Sequence, residues 1–158
     1  SYQLYERAKK YGEIVPVNEA PEGATLYKTG HVAIKISDTK QIESRGVDYG
    51  VVITDIKSQK WECALLLDFI DYTPDVITDK SCKYYIKWLQ RRLNIHIKAG
   101  NLKDKDSKKI TNLLDVDGVW GAKTATALLA FFRFKKWDDS NSKGYYAGTG
   151  TINALCFE

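Results

Sequence analysis

Residues 30–36, Gly30-His31-Val32-Ala33-Ile34-Lys35-Ile36, constrain the fold most. Val32, Ile34 and Ile36 alternate with Ala33 and Lys35. That period of two fits a half-buried strand. Thr29-Gly30 supplies a turn just before it, so His31 stands at a strand mouth, where an imidazole is both anchored and reachable. The chain has only two histidines, and the other, His96, lies in the second half, on or just beyond a helical pattern. Asp38-Thr39-Lys40 reads as a turn into a second strand, Gln41-Ile42-Glu43-Ser44-Arg45. Two adjacent antiparallel strands would bring Glu43 near His31.

Two readings of that pair stay open. A carboxylate beside an imidazole fixes its tautomer and orients it, as in Cys-His or Ser-His nucleophilic systems. Alternatively, His31 is an ordinary polar residue at a strand start, and Glu43 forms a surface ion pair with Arg45 or Lys35.

The remaining first half extends the sheet. Leu4, Ala8 and Tyr11 recur at helical spacing over residues 2–11, and Gly12 ends the pattern. Residues 13–23, with Pro16 and Pro21, read as a loop. Strands are predicted over Ala24 to Lys28, Tyr49 to Thr54 and Leu65 to Tyr72, with Trp61 over the sheet edge. The result is an antiparallel meander preceded by a helix, an α+β arrangement. Three helical turns give little cover for the apolar side of such a sheet, and the chain contains no methionine. Both point to sequence upstream of Ser1.

At Thr73-Pro74-Asp75 the pattern changes, which places a boundary between domains 1–75 and 76–158. Cys82, Ile86, Leu89 and Leu93 form one helical face, which makes Cys82 a core residue. After a charged loop over 98–106, Ser107 can cap a helix through Leu114. Thr124, Ala127, Leu128 and Phe131 mark a further helix. Gly118 to Leu128 and Gly144 to Leu155 repeat a glycine-aromatic loop feeding a helix, which argues for a small all-α domain made by near-duplication. Trp120, Tyr145 and Tyr146 read either as a glycan-binding face or as core.

Charge separates the halves. Residues 1–75 carry 9 basic and 12 acidic groups, net −3, and residues 76–158 carry 15 and 8, net +7. The second half suits a polyanion: nucleic acid, anionic membrane or cell wall. No zinc-finger, RNA-binding or glycine-loop signature points to nucleic acid, and no apolar run approaches transmembrane length. The three cysteines, Cys63, Cys82 and Cys156, lack metal-ligand spacing, and their odd number argues against a disulfide framework. No metal and no cofactor is expected.

Residues 2–72 resemble the C-terminal two-thirds of an NlpC-type cell-wall cysteine peptidase domain, as found in phage endolysins of Gram-positive hosts. The likeness runs through Tyr11-Gly12, Gly30-His31-Val32, Ile42-Glu43-Ser44-Arg45-Gly46, Tyr49-Gly50-Val51-Val52, Trp61 and Ile70-Asp71-Tyr72. It implies a partial papain-like antiparallel sheet with His31 as catalytic base and Glu43 as the residue that orients it. Many relatives have histidine at the latter position. The family's nucleophile lies in an Asp-Cys-Ser-Gly motif upstream of the histidine, and this sequence has none. Cys63 follows the histidine, in the wrong order.

Residues 84–155 resemble a helical peptidoglycan-binding domain through Trp88-Leu89-Gln90-Arg91-Arg92-Leu93, Asp117-Gly118-Val119-Trp120-Gly121, Lys123-Thr124 and Ala127-Leu128. The second half-motif departs from the family, with Lys143-Gly144 where Asp-Gly is usual. Together the resemblances imply a peptidoglycan endopeptidase, endolysin or autolysin, that cuts stem-peptide amides by Cys-His catalysis. Its expected partners are bacterial peptidoglycan and a segment or separate chain bearing the cysteine. Its expected place is the bacterial cell wall, by secretion or by release of a phage product made in the host cytoplasm. The rival expectation is a non-catalytic wall-binding or structural fragment.

Overall fold

The computed structural model describes residues 1–139 and 143–156. The chain divides into two compact units, Ser1–Thr73 and Pro74–Glu158. The fold is mixed α+β, an antiparallel sheet followed in sequence by helices.

The first unit begins with helix α1 (Tyr2–Tyr11). Six strands follow: β1 (Glu13–Val15), β2 (Thr25–Lys28), β3 (His31–Lys35), β4 (Lys40–Ser44), β5 (Val51–Asp55) and β6 (Cys63–Leu66). Their order in the sheet is β1-β6-β2-β3-β4-β5, and every neighbouring pair is antiparallel. Strands β2 to β5 form the expected meander, but β6 returns to lie between β1 and β2. The reason is apolar content: Ala64, Leu65 and Leu66 are all buried, so this strand needs cover on both faces and a partner on both edges.

Two boundaries differ from the sequence reading. Residues 13–15, expected in a loop, pair with β6 at Glu13↔Leu66 and Val15↔Ala64. The strand expected over Leu65 to Tyr72 instead starts at Cys63 and stops at Leu66. There the chain turns: the Ile70 amide donates to the Leu67 carbonyl, and Asp71 Oδ1 accepts from the Thr73 amide. The apolar residues past Leu66 belong to a turn, which alternation cannot reveal.

Gly12 ends α1 because β6 passes close by. A Cβ at Gly12 would lie 2.0 Å from the Leu66 carbonyl oxygen. Leu4, Tyr5 and Ala8 of the helix pack on Tyr27, Val32, Cys63 and Leu65, one face of the sheet. The opposite face carries Leu26, Ala33, Lys35, Gln41 and Glu43, all buried. Buried Lys35 is satisfied by donating to the Ala20 carbonyl at 2.6 Å and by Asp38 at 3.2 Å, which ties the proline-flanked loop to the sheet.

The second unit contains β7 (Ile77–Thr78), α2 (Lys83–Lys98), α3 (Ala122–Phe134), β8 (Tyr146–Ala147) and α4 (Thr149–Cys156). It is not all-α: β7 and β8 pair at Ile77↔Ala147 and Thr78↔Tyr146. Ile86, Leu89, Leu93, Leu128, Phe131 and Leu155 share one core. Cys82, expected in that core, is the half-buried N-cap of α2. The helix expected from Ser107 to Leu114 does not form. Asp104 Oδ1 accepts the Asp106 and Lys108 amides, Lys103 bridges Lys109, and Asn94 holds both backbone groups of Leu114. These tertiary bonds replace the helical ladder. No described helix is long and apolar enough to cross a membrane.

Candidate functional site

His31 opens β3, directly across from Lys28 on β2. Strands β3 and β4 are in register at Lys35↔Gln41, so alternation puts His31, Lys35, Gln41 and Glu43 on one face of the sheet. The outcome is a contact: His31 Nε2 lies 2.8 Å from Glu43 Oε2. The Glu43 side chain is fully buried and that of His31 is 27% exposed. The pair is thus anchored at one end and open to solvent at the other.

Glu43 uses its other oxygen for a second set of partners. Oε1 accepts from Thr54 Oγ1 at 2.5 Å, from Gln41 Nε2 at 3.1 Å and from Arg45 Nε at 3.2 Å. Burial pushes this carboxyl toward the neutral form. The bonds from Thr54, His31 and Gln41, with the charge of Arg45, outweigh that and hold its pKa at about 2. Glu43 is therefore ionised at neutral pH and can only accept hydrogen bonds. The proton in the short contact belongs to His31 Nε2. In a neutral ring this leaves Nδ1 as the nitrogen able to accept a proton.

Trp61 closes the arrangement. Its ring stacks on His31 with centroids 5.7 Å apart and planes 16° off parallel, and its Nε1 donates to Gln41 Oε1 at 2.7 Å. Gln41 therefore links Trp61 to Glu43. Lys28 Nζ sits over the Trp61 ring at 5.9 Å and donates to Gln59 Oε1 at 2.6 Å.

The sequence reading anticipated the proximity of His31 and Glu43. The Arg45 partnership, expected in the rival reading, is also present, but Glu43 is buried rather than a surface residue. Gln41 and Thr54 were missed. Their signal was available: Gln41 shares the parity of Glu43, and Thr54 lies opposite Gln41 across β4 and β5. Polar residues on the inward face of two adjacent strands imply a buried network.

Cys63 is not part of this site. It pairs with Tyr27, which pairs with Val32, so all three share the face that α1 covers. His31 projects from the opposite face. Burial, with the charge of Glu62, also pushes the Cys63 thiol up, away from the thiolate. Among the described residues no cysteine is paired with His31, and no group of three or more His, Cys, Asp or Glu side chains is placed to hold a metal.

The three aromatic candidates lie in the second unit and divide by exposure. Trp120 is only 8% exposed and belongs to the core, with its Nε1 donating to the Gly144 carbonyl at 2.9 Å. It does not offer a stacking face to solvent. Its ring backs Tyr145, with centroids 6.3 Å apart. Tyr145 and Tyr146 are 41% and 58% exposed. Gln90, buried in α2, pins the loop ahead of α3 by donating to Asp117 Oδ1 at 2.9 Å and the Val119 carbonyl at 3.0 Å, and by accepting from the Gly118 amide. No protein-family model, curated protein or solved structure matches the chain.

Proposed function

We propose that this chain carries the base and orienting carboxylate of a peptidoglycan endopeptidase of NlpC type, together with a wall-binding unit. The observation that carries the reading is the 2.8 Å contact between His31 Nε2 and the buried, ionised Glu43. It presents Nδ1 as the basic nitrogen and places a stacked Trp61 beside the ring. The antiparallel sheet then corresponds to the strand half of a papain-like fold.

In this reading a thiol from a segment or chain outside residues 1–158 gives its proton to His31 Nδ1. The thiolate attacks a stem-peptide carbonyl, the C–N bond breaks, and the imidazolium returns the proton to the leaving amine. Water then hydrolyses the thioester, with the same imidazole as base. Glu43 keeps the ring in one tautomer throughout and offsets the charge that forms on it. The wall-binding role of the second unit rests on the +7 balance of residues 76–158 and on exposed Tyr145 and Tyr146.

The test has two arms. Purified chain is first incubated with sacculi across a salt series and pelleted. Binding at low salt that weakens but persists as salt rises is expected from combined charge and stacking. No binding at low salt would reject the wall-binding role. Release of new amino groups from the same walls is then measured, and the chain alone is expected to release none. That no cysteine among the described residues stands beside His31 favours a second reading, a purely wall-binding chain. A His31→Ala change without effect in a thiol-complete peptidase would select it.

A further inference from the structure

We propose that the outward face of α2, continued by Lys103 and Lys109, binds a phosphodiester polymer, so that the second unit takes a wall-linked polyol phosphate and not the glycan alone. The inference rests on the wall-binding reading above and specifies a ligand for that unit.

The charge on α2 has one sign. The helix carries five lysines and arginines and no acidic residue. Ile86, Leu89, Leu93 and Ile97 turn inward to the core. At about 3.6 residues per turn, the opposite side holds Tyr84, Trp88, Arg91, Ile95 and Lys98, with Arg92 at its margin. Arg91 and Lys98 are exposed and Arg92 is half-buried. Among the described residues no carboxylate pairs with any of these three cations. Arg91 and Lys98 stand two turns apart, about 10 Å along the axis, which suits an extended anion better than a single phosphate.

Past α2 the charge continues. Lys103 and Lys109, both exposed, face each other across an antiparallel bridge. Like charges placed directly opposite repel. A Cβ at Gly100 would lie 3.7 Å from Lys109 Nζ, so this ammonium reaches back to the end of α2. Asp104 and Asp106, between the two lysines, are balanced by Lys105 and Lys108. The negative end of the helix dipole accounts for Lys98 and Lys109. It does not account for Arg91 and Arg92 in mid-helix, or for the opposed lysines. A bound polyanion offsets the repulsion at all of these positions.

The same face selects the class of polyanion. The apolar side of α2 is buried in the core, and Ile95, 51% exposed, is too little apolar surface to enter a bilayer. Nucleobases need open rings to stack on. Trp88 and Tyr84 are half-buried here, with the Arg92 guanidinium over the Trp88 ring at 5.4 Å and Tyr85 against Tyr84 at 5.8 Å. Spaced cations without a stacking platform fit phosphates joined by flexible polyols.

The test pellets the full chain with Gram-positive walls, and with the same walls after cold hydrofluoric acid has cleaved their phosphodiesters. Intact walls are expected to bind roughly ten-fold or more tightly, with the preference shrinking as salt rises. Soluble poly(glycerol phosphate) should displace the chain from intact walls. Arg91→Gln with Lys98→Gln is expected to remove most of the preference and to leave binding to stripped walls unchanged. Lys9→Gln with Lys10→Gln, an equal loss of charge in α1, should leave both unchanged. Equal binding to intact and stripped walls would overturn the phosphate assignment and leave the wall-binding reading intact. No binding to either would overturn the two together. A preference that survives in the Arg91, Lys98 double variant would overturn the placement on α2. Single-stranded RNA that displaces the chain at a lower phosphate concentration than poly(glycerol phosphate) would overturn the choice of polymer and select nucleic acid.

Discussion

His31 Nε2 and Glu43 Oε2 lie 2.8 Å apart, and the Glu43 carboxylate has no exposed side-chain surface. This geometry makes Glu43→Gln an informative change. The amide oxygen would stay with Thr54, Gln41 and Arg45, which are all donors to that position. The amide nitrogen would then face His31 Nε2 and donate to it. That forces the proton onto Nδ1, the nitrogen a base needs free. Nitrogen-15 NMR of the ring is expected to report a tautomer switch, and activity in a thiol-complete peptidase is expected to fall by roughly one to three orders of magnitude. An unchanged tautomer would remove Glu43 from its assigned role.

The same carboxylate should make the first unit sensitive to acid. Its folded pKa, about 2, lies below the ordinary value of 4.5. The stabilisation is therefore complete above pH ~4.5 and is lost as pH falls through about 2. The contribution at neutral pH is on the order of 3 kcal/mol. Denaturant unfolding of wild type and Glu43→Gln at pH 7, 4 and 2 is expected to show the gap between them narrowing at low pH. A gap that widens in acid would contradict the sign.

Trp61→Phe separates stacking from hydrogen bonding. Phenylalanine keeps a ring against His31 but leaves Gln41 Oε1, in a fully buried side chain, without its donor. A stability loss of about 1–3 kcal/mol is expected in the first unit by denaturant titration.

Cys63 should be inert. It lies on the α1 face, and its thiol is pushed up by burial. Iodoacetamide is expected to label it slowly in the folded chain at neutral pH, and Cys63→Ala should leave wall release unchanged. Release that vanishes on Cys63→Ala would sink the assignment of the nucleophile to another segment.

Gly144→Ala tests the second unit. Gly144 has φ +72, and a Cβ there would meet the Ala125 carbonyl oxygen at 2.5 Å. Backbone strain and a clash with backbone together make a loss of about 1–3 kcal/mol the expected result, read by thermal unfolding. Gly118, its counterpart in the internal repeat, has φ +75. The shared left-handed backbone is the physical content of that repeat: each glycine bends the chain ahead of α3 or α4.

How much of this was legible in the sequence depended on locality. The strands at 31–35 and 40–44 and the helices around Leu89 and Leu128 have strong periodicity, so their positions could be read. The proximity of Glu43 to His31 followed from a short turn between adjacent strands. Insertion of β6 between β1 and β2 could not be read, because non-local pairing leaves no mark in local spacing. Ser107 to Leu114 misled because its backbone is held by Asn94 and Asp104, partners that helical patterning does not count. Trp120 was ambiguous because a glycine-flanked indole looks the same whether it closes on its own core or on a sugar.

The most direct measurement is kcat/KM for hydrolysis of a defined stem peptide by this chain together with the thiol-bearing segment that the reading requires, wild type against His31→Ala, with thermal unfolding recorded for both. Loss of nearly all activity with unfolding little changed is the expected result, since no other imidazole lies in the first unit. Full activity in His31→Ala would contradict the account.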